Sequence, residues 1–296
     1  MYFNSDTVLY LDGKWVKARE ANTDLYGQTL HYGHGVFDGL RAYKTPSGTQ
    51  IFKANEHFER FLKSADSLQI MPRYSVEKLV DVAYDLLEKN NLENAYIRPL
   101  VFMGARMSLL PADQIHLMIT AWEWGRYLGN QSIDVIISSY RRPHPQSVSI
   151  QAKVVGQYTN FILASQEARK KGYDEALLLD VNGFVAQGPG TNFFYEKDEI
   201  LYTPPKTHVV AGITRDTVIK FARELGLEVV EKYFKPEDLW EADSAFFTGT
   251  AAEIVGIKSV NKQPFKMSWQ DSLGHVLHVM YRRRVTHQDI TDFNLV

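Results

Sequence analysis

The order of the predicted elements constrains the fold most, because β-like runs and helical patterns alternate along the chain. Residues 55–69 carry apolar side chains at helical spacing. Residues 75–90 repeat that spacing, and Ser75 is predicted to cap this second helix. β-like runs are found at 7–11, 39–43, 50–54, 95–103 and 115–122. The first half is therefore predicted to be a mixed α/β unit.

A glycine-bearing segment at 124–131 changes the composition and is predicted to separate two domains. We assign an N-terminal domain to residues 1–123, an interdomain loop to 124–134 and a C-terminal domain to 135–296. In the second half, EALLLDVNGFVAQGPG is predicted to form a hairpin, because its Asn182–Gly183 pair favours the tight turn that joins antiparallel strands. Helices are predicted at 159–171, 214–225 and 268–286, the first two ending at Gly172 and Gly226.

The size and composition of the chain indicate a two-domain globular protein and argue against several kinds of partner. A chain of 296 residues with 45% hydrophobic residues can bury a substantial core, and about 150 residues per domain suggests two domains. A formal net charge of −2 without a basic stripe argues against nucleic acid as a partner. The chain has no cysteine, which excludes disulfides and thiolate metal sites and fits a cytoplasmic protein. No secretory signal or membrane-spanning run is recognised, so a membrane is not expected as a partner either.

Lys153 lies in the apolar and hydroxylic run SVSIQAKVVGQY, where a permanent ammonium would be poorly solvated. Between residues 135 and 166 there is no Asp or Glu, while Arg141 and Arg142 add positive charge. Desolvation and like-charge crowding both favour the neutral amine, which is the nucleophilic form. Lys153 is therefore a candidate Schiff-base lysine. The alternative is a strand lysine whose stem covers apolar surface while its ammonium reaches water.

Two segments are candidates for binding a phosphate group. In AGITRD, Gly212 and Thr214 are predicted to open a helix, whose N-terminal amides favour an anion. In FFTGTAAE, Thr248, Gly249 and Thr250 follow an apolar strand-like run, so hydroxyls and amides meet where the strand ends. Either segment could instead be an ordinary helix cap or loop closure.

The chain resembles the branched-chain amino acid aminotransferases, which are class IV pyridoxal-phosphate enzymes of fold type IV. The matching motifs follow the family's order: LHYGHGVFDGLRAY, EHFERFLKSA, AYIRPLVF, WGRYLG, AKVVGQY, GYDEALLLDVNGFVAQGPGTNFF, LYTPP, AGITRD and FTGTAAE. The resemblance implies an α/β (α+β) fold of two domains, a small N-terminal α/β domain and a larger C-terminal β-barrel-like domain with flanking helices. It also implies a homodimer or higher homo-oligomer.

The same resemblance implies that the cofactor is pyridoxal 5'-phosphate, held by a Schiff base to Lys153, the catalytic residue. The implied cofactor-binding residues are Arg60, Lys153, Tyr158, Gln187, Val210, Gly212, Ile213, Thr214 and Thr250. Arg60, Thr214 and Thr250 are implied to bind the phosphate, together with Ile213. Tyr158 would hold the phenolic oxygen and Val210 would pack against the pyridine ring. After the substrate amine displaces it, Lys153 would carry the proton that leaves the substrate Cα.

The implied reaction moves the amino group of L-leucine, L-isoleucine or L-valine to 2-oxoglutarate. The implied substrate-binding residues are Tyr32, Phe37, Arg41, Tyr96, Arg98, Tyr127, Thr250 and Ala251. An aromatic and apolar lining with few polar groups suits branched side chains. For the tyrosines, ordinary packing in a core is the alternative.

Gln187 is the main departure from the family pattern. The family normally has Glu at this position of the hairpin, whose carboxylate keeps the pyridine nitrogen protonated. A neutral amide cannot do this as well, so we expect slower proton transfer with cofactor binding retained. A Gln187→Glu variant is expected to turn over faster. Asp38, where Glu is usual, and the pair Val154–Val155, where small residues are common, are smaller departures.

Two other functions stay open from the sequence. Another fold-type IV enzyme, acting on D-amino acids, on amines or as an aminodeoxychorismate lyase, would need arginines arranged differently from Arg41 and Arg98. A weakly active pyridoxal-phosphate-binding protein is suggested by Gln187, although Lys153 argues against it. No metal site is expected, because His31 and His34 have no cysteine or clear carboxylate beside them in sequence.

Overall fold

The computed structural model describes residues 2–125, 127–129 and 132–287, and the chain divides into two compact units. The first unit is Met1–Gly125 with Gln151–Tyr158, and the second is Arg126–Ile150 with Thr159–Val296. The first unit therefore takes in a segment that lies beyond the predicted interdomain loop. Arg126, Asn130 and Gln131 of that loop, and residues 288–296 of the predicted second domain, lie outside the described residues. Within the described ranges, none of the helices has the length and apolar character needed to cross a bilayer.

The first unit is an α/β unit, as the sequence predicted. Its elements are β1 (Val8–Leu11), β2 (Lys14–Lys17), α1 (Gln28–Tyr32), β3 (Gly35–Phe37), β4 (Leu40–Thr45), β5 (Gly48–Ile51), α2 (Ala54–Asp66), α3 (Val76–Lys89), β6 (Ala95–Met103) and β7 (Ile115–Trp122). The seven strands form one sheet in the order β2-β1-β7-β6-β4-β5, and β3 also pairs with β6. Both β6 and β7 have the bounds predicted from the sequence.

Helices α2 and α3 form because one face of each is apolar and is buried in the core of the first unit. Phe58, Phe61 and Ala65 of α2 are fully buried, as the helical spacing predicted. Helix α3 begins after Ser75, whose hydroxyl accepts the N–H of Lys78 at 3.2 Å, so the predicted cap is confirmed. The core that these helices cover also contains Val36, Leu40, Ile97, Val101, Leu117 and Ile119.

The second unit is built on a larger sheet. Its elements are β8 (Ser132–Arg141), α4 (Tyr158–Lys170), β9 (Glu175–Leu179), β10 (Val185–Gly188), β11 (Thr191–Lys197), β12 (Ile200–Thr203), α5 (Ile213–Glu224), β13 (Val229–Glu231), β14 (Ser244–Gly249), β15 (Glu253–Val260), β16 (Gln263–Pro264) and α6 (Leu273–Val285), with the first residue of α4 belonging to the first unit. The sheet has the order β10-β9-β8-β15-β14-β11-β12-β13. Because β10 also pairs with β11, six strands form a closed ring, which confirms the predicted barrel-like sheet.

The hairpin β9–β10 closes this ring and carries Gln187. Its turn contains Gly183 at a φ of +82°, a backbone conformation that glycine adopts without strain. The Asp180 carboxylate accepts the N–H groups of Asn182 and Phe184, each at 2.9 Å, and so fixes the turn. The pairing with β9 shifts between Val185 and Gln187, which is a β-bulge in β10. Because of the bulge, the side chains after Val185 point to the opposite face of the hairpin from the one that regular pairing would give.

One predicted helix of the second half is corrected, and the strand alternative for Lys153 is not found. The helix predicted at 268–286 begins at Leu273, because Ser272 accepts the N–H of His275 and caps it, while Trp269–Asp271 forms a separate 3₁₀ turn. Lys153 does not lie in a strand of either sheet, since only the neighbouring Val154 makes an isolated bridge, to Val36. Helix α4 ends before Gly172, which has a φ of +78°, as predicted.

Candidate active site

The backbone around Lys153 is tied to the strand and helix elements of the first unit. The Lys153 carbonyl accepts the N–H of Phe37 at 3.0 Å, and its own N–H lies 3.4 Å from the Ser64 hydroxyl. A few residues on, the Gly156 N–H donates to the Gly33 carbonyl at 3.1 Å. The two glycines are so close that a Cβ on Gly33 would lie 2.5 Å from the Gly156 Cα. Lys153 is thus held on a short segment without regular structure.

The Lys153 side chain is half-buried against two aromatic rings. Its Nζ donates to the Tyr158 hydroxyl at 2.8 Å and lies 5.3 Å from the Phe37 ring centroid and 5.5 Å from that of Tyr158. The two rings are themselves in edge contact at 4.5 Å. Among the described residues, no carboxylate lies within ion-pair distance of Lys153. The structure therefore brings two of the predicted residues together as an amine beside a phenol.

Arg60 is held by a buried carboxylate that the sequence did not identify as its partner. Its Nε and Nη2 donate to the two oxygens of Asp38 at 2.8 and 2.7 Å. The side chain of Asp38 is fully buried and also contacts the Nδ1 of His57 at 3.0 Å and the N–H of Gly39 at 2.6 Å. A bidentate pair of this kind fixes the plane of a guanidinium. Asp38 therefore sets the direction in which Arg60 can present its remaining donors.

Asp38, His57 and Arg60 shift one another's pKa values. Burial by itself would raise the pKa of Asp38, but the charge of Arg60 and the hydrogen bonds from His57 and Arg60 outweigh it, so the pKa lies far below its usual value. Burial lowers the pKa of His57, and the Asp38 contact opposes this only in part. Burial also opposes the charged form of Arg60, but Asp38 holds its pKa above the ordinary value. The group is therefore an ionised Asp38–Arg60 pair beside a neutral His57.

Arg98 lies among aromatic rings on β6 of the first unit. Its guanidinium carbon is 4.5 Å from the ring centroid of Phe37, 5.3 Å from that of Tyr96 and 5.9 Å from that of Trp122. Its Nη2 donates to the Tyr96 hydroxyl at 3.3 Å. Its Nε is buried and has no hydrogen-bond partner among the described residues. Arg98 has no carboxylate partner among the described residues, so its guanidinium can bind a carboxylate from outside the chain.

The other substrate residues predicted in the first unit are less closely grouped. Arg41, on β4, donates to the Gly125 carbonyl at 2.8 Å. Tyr32 is 47% exposed and donates to the Met107 carbonyl at 3.0 Å. A Cβ on Gly39 would overlap the Tyr96 hydroxyl, so this glycine leaves the room that the tyrosine occupies. The described residues bring Phe37, Tyr96 and Arg98 together, while Tyr32 lies at an exposed position.

In the second unit, Gly212 and Thr214 open helix α5, as predicted. Gly212 is the N-cap residue, and no side chain caps the helix there. A Cβ on Gly212 would overlap the Asn192 amide oxygen, so a larger residue would have to displace this side chain. Thr214 is buried, and Ile213 is the first residue of the helix. A twelve-residue helix with an uncapped start presents backbone N–H groups and a positive dipole end, which suit an anion.

Gln187 and Asn192 hold the Val210 peptide from both sides within the second unit. The Gln187 Oε1 accepts the Val210 N–H at 2.9 Å, and the Asn192 Nδ2 donates to the Val210 carbonyl at 2.9 Å. Gln187 is 2% exposed, and its Nε2 donates to the Gly188 carbonyl at 3.2 Å. The structure thus groups two predicted residues with Asn192, which the sequence reasoning missed although it follows the hairpin directly.

The predicted turn after β14 carries the last group of predicted residues. Strand β14 ends at Gly249, and Thr250 and Ala251 follow it, half-buried. The Thr248 hydroxyl and the Thr191 hydroxyl are buried without a hydrogen-bond partner among the described residues. Thr191 was also missed by the sequence reasoning, which had no signal for it beyond its place next to the hairpin. Tyr127 is 42% exposed, and both Arg126 before it and Asn130 beyond it lie outside the described residues.

Comparison with known proteins identifies the family. A model of the family described as amino-transferase class IV matches residues 35–260. A branched-chain-amino-acid aminotransferase of Pseudomonas aeruginosa is 44% identical over 262 residues, 86% of this chain and 85% of that protein. A T.th. branched-chain amino acid aminotransferase, complexed with N-(5'-phosphopyridoxyl)-L-glutamate, superposes with a TM-score of 0.93 at 36% identity, covering 97% of this chain and 96% of the other. An Escherichia coli branched-chain amino acid aminotransferase gives 0.92 at 35% identity, covering 98% of each chain. The chain belongs to the class IV aminotransferase family, and within it to the branched-chain aminotransferases of fold type IV.

Proposed function

We propose that this protein transfers the amino group of L-leucine, L-isoleucine or L-valine to 2-oxoglutarate with pyridoxal 5'-phosphate as cofactor. The observation that carries the proposal is Lys153, an amine without a carboxylate partner among the described residues and 2.8 Å from the Tyr158 hydroxyl. When bound, the cofactor supplies an aldehyde that links to an amine and a ring that takes up electrons released at the substrate Cα. A relative crystallised with N-(5'-phosphopyridoxyl)-L-glutamate supports both the cofactor and the acceptor.

Each unit, taken by itself, contains residues that suit a phosphate-bearing cofactor. A phosphate dianion needs cations, hydroxyls and backbone N–H groups. In the first unit, Arg60 supplies a guanidinium fixed in direction by Asp38. In the second unit, the uncapped start of α5 supplies N–H groups, and the buried Thr248 hydroxyl has no partner among the described residues. Arg60, Gly212, Ile213, Thr214 and Thr250 are the proposed phosphate ligands, and Gln187 and Val210 the proposed ring contacts.

Lys153 is proposed to act twice. Its amine would hold the cofactor covalently in the resting protein, and the freed amine would carry the proton from the substrate Cα to the cofactor carbon C4′. Tyr158 contacts the amine directly, so it can orient Nζ and exchange a proton with it. The centroid of the Phe37 ring lies 5.3 Å from Nζ, and the ring covers one side of the amine.

The 2-oxoglutarate acceptor is proposed from the environment of Arg98. A second carboxylate distinguishes this keto acid from the branched ones, and it needs a cation inside an otherwise apolar lining. Arg98 provides one, because its buried Nε has no hydrogen-bond partner among the described residues and aromatic rings surround its guanidinium. Guanidinium is the group best suited to bind a carboxylate through two hydrogen bonds.

Replacing Arg98 with methionine is expected to lower kcat/KM for 2-oxoglutarate much more than for 4-methyl-2-oxopentanoate. A hydrogen bond to a charged group contributes about 1.5–3 kcal/mol, so the ratio of the two kcat/KM values should fall roughly 10- to 100-fold. Steady-state kinetics with each keto acid measures the ratio. Arg169→Met, which removes an exposed arginine of α4, serves as the matched control. An equal loss for both keto acids would show that Arg98 does not distinguish them.

A homodimer is proposed as the smallest assembly. Six large apolar side chains of the first unit are more than half exposed and form what we call the apolar face: Leu25, Tyr26, Leu30, Met107, Leu109 and Leu110. The segments that carry them are hydrogen-bonded together through the Gln28 amide. Leu30 also lines a cavity of about 350 Å³ beside the sheet. Soluble proteins seldom leave such a contiguous surface exposed, and a second copy of the chain would cover it.

Leu30→Asp is therefore expected to convert the dimer to a monomer, because a carboxylate would have to be desolvated in the interface. Sedimentation velocity of the cofactor-loaded protein measures the mass directly. Met71→Asp is the control, since Met71 is 69% exposed, close to the 65% of Leu30, but does not belong to the apolar face. A wild-type protein that sediments as a monomer, or dimers in both variants, would contradict this use of the apolar face.

The proposed reaction is tested by absorption of the cofactor-loaded protein with no keto acid present. L-Leucine is expected to bleach the visible band of the bound cofactor, because the amino group moves to the cofactor and stays there. D-Alanine in parallel is expected to leave the band unchanged. A response to D-alanine alone would favour an enzyme acting on D-amino acids, and no response to either amino acid would contradict the proposed function.

A further inference from the structure

The Gln187 side chain has a fixed orientation in the hairpin β9–β10. Its Oε1 accepts the Val210 N–H, and its Nε2 donates to the Gly188 carbonyl. If the amide were reversed, Nε2 would face a backbone N–H and Oε1 would face a carbonyl. That arrangement sets donor against donor and acceptor against acceptor, and it is unfavourable for a buried group. Only one orientation of the amide therefore satisfies both the Val210 N–H and the Gly188 carbonyl, and it fixes the position of Nε2.

This orientation limits what Gln187 can offer to a ligand. Nε2 carries two hydrogens, and Gly188 is its one acceptor within the described part of the chain. Oε1 is turned toward the Val210 peptide, which Asn192 holds in place from the other side. The free hydrogen of Nε2 can only be donated. Gln187 is therefore a hydrogen-bond donor toward whatever lies against it, whereas a carboxylate at the same position would be an acceptor.

We infer that Gln187 holds the ring nitrogen of the bound cofactor in its unprotonated form, as the acceptor of the Nε2 hydrogen bond. This rests on the proposed function, in which Gln187 contacts the pyridine ring. A protonated ring nitrogen would direct its own N–H at the Nε2 hydrogens, and the two donors would repel each other. An unprotonated nitrogen has the lone pair that Nε2 requires. The ring is then a weaker acceptor of electrons than a pyridinium, which slows proton removal at the substrate Cα.

Gln187→Glu separates this effect from the role of Gln187 in holding Val210. The new carboxylate has nearly the same shape and can still accept the Val210 N–H through one oxygen. Its second oxygen replaces the donor Nε2 and loses the hydrogen bond to the Gly188 carbonyl, so it requires a donor from the ring and stabilises a protonated ring nitrogen. The position of the Val210 peptide is thus retained while the polarity facing the ring is reversed. Turnover of the variant is expected to rise if the proposed function holds.

The test is the ¹⁵N resonance of the holoprotein loaded with pyridoxal phosphate labelled at the ring nitrogen. The wild-type resonance is expected in the range of unprotonated pyridine and that of Gln187→Glu in the pyridinium range. A wild-type resonance in the pyridinium range would overturn the inference, whatever the variant shows. Borohydride reduction and peptide mapping of the same sample distinguish the two proposals. An adduct on Lys153 with a pyridinium resonance removes this inference alone, whereas no adduct on Lys153 removes the proposed function and the inference with it.

Discussion

Replacing Lys153 with alanine is expected to lower kcat roughly 10⁴-fold or more, because one group serves as both covalent anchor and proton carrier. The fold should survive, since Lys153 is half-buried and no carboxylate of the described residues loses a partner when it is removed. Transamination between L-leucine and 2-oxoglutarate measures the loss, and circular dichroism checks the fold. Lys220→Ala, at a lysine whose side chain is 71% exposed, is the matched control.

The Lys153→Ala variant should still bind the cofactor without a covalent link, through the phosphate and ring contacts. Small amines added to the variant should then restore part of the activity, because they replace the missing proton carrier. A purely structural role of Lys153 predicts no such rescue. Activity of the variant within tenfold of the wild type would contradict the assignment.

Replacing Asp38 with asparagine is expected to lower the free energy of unfolding by about 3–5 kcal/mol, because it leaves the Arg60 guanidinium largely buried without its counter-charge. The side chain of Asp38 is fully buried and that of Arg60 only 16% exposed, so water cannot replace the lost carboxylate. Urea denaturation measures the change. Asp85→Asn, at an exposed position on α3, is the control.

A double variant separates the ion pair from simple loss of packing. Asp38→Asn combined with Arg60→Met removes both charges and should be more stable than Asp38→Asn alone. Cofactor affinity should nevertheless fall in the double variant, because the proposed phosphate ligand is gone. If the two substitutions instead add in their effect on the free energy of unfolding, the bidentate contact does not determine the stability of this region.

The same group makes stability depend on pH in two steps. The pKa of His57 is lowered from 6.5, so its contribution to the free energy of unfolding is complete above that pH and is lost as the pH falls below it. The pKa of Asp38 is lowered from 3.8, so its contribution is complete above that pH and is lost only in stronger acid. Denaturation midpoints measured across this range should fall in both steps. In His57→Gln, the first step should be smaller.

The elements that the sequence predicted best are those whose signals are local. Helix α3 combines a capping serine with apolar spacing, and both are decided within a few residues. The turn at Gly183 needs a positive φ, which Asn-Gly supplies by itself. The ends of β6 and β7 were predicted correctly because polar or turn-forming residues flank each apolar run. At these positions, interactions within a few residues are sufficient to predict the element.

The contacts of the candidate site depend on residues far apart in the sequence, and no local pattern reports them. Asp38 was identified only as a departure from the family, although it is the bidentate partner of Arg60. The orientation of the Gln187 amide follows from Val210 and Gly188, one distant and one adjacent. The backbone of Lys153 is held by Phe37 and Ser64, which lie far from it in the sequence. Tertiary hydrogen bonds set the side-chain and backbone contacts at these positions, and local propensity does not report them.

The assignment of Lys153 as the cofactor-bearing lysine is tested most directly by borohydride reduction of the holoprotein followed by proteolysis and mass spectrometry of the peptides. Reduction makes the link between lysine and cofactor permanent, so the modified residue can be located. We predict one phosphopyridoxyl adduct per chain, on the peptide that contains Lys153, and none after L-leucine has converted the cofactor. An adduct on any other lysine would contradict the assignment.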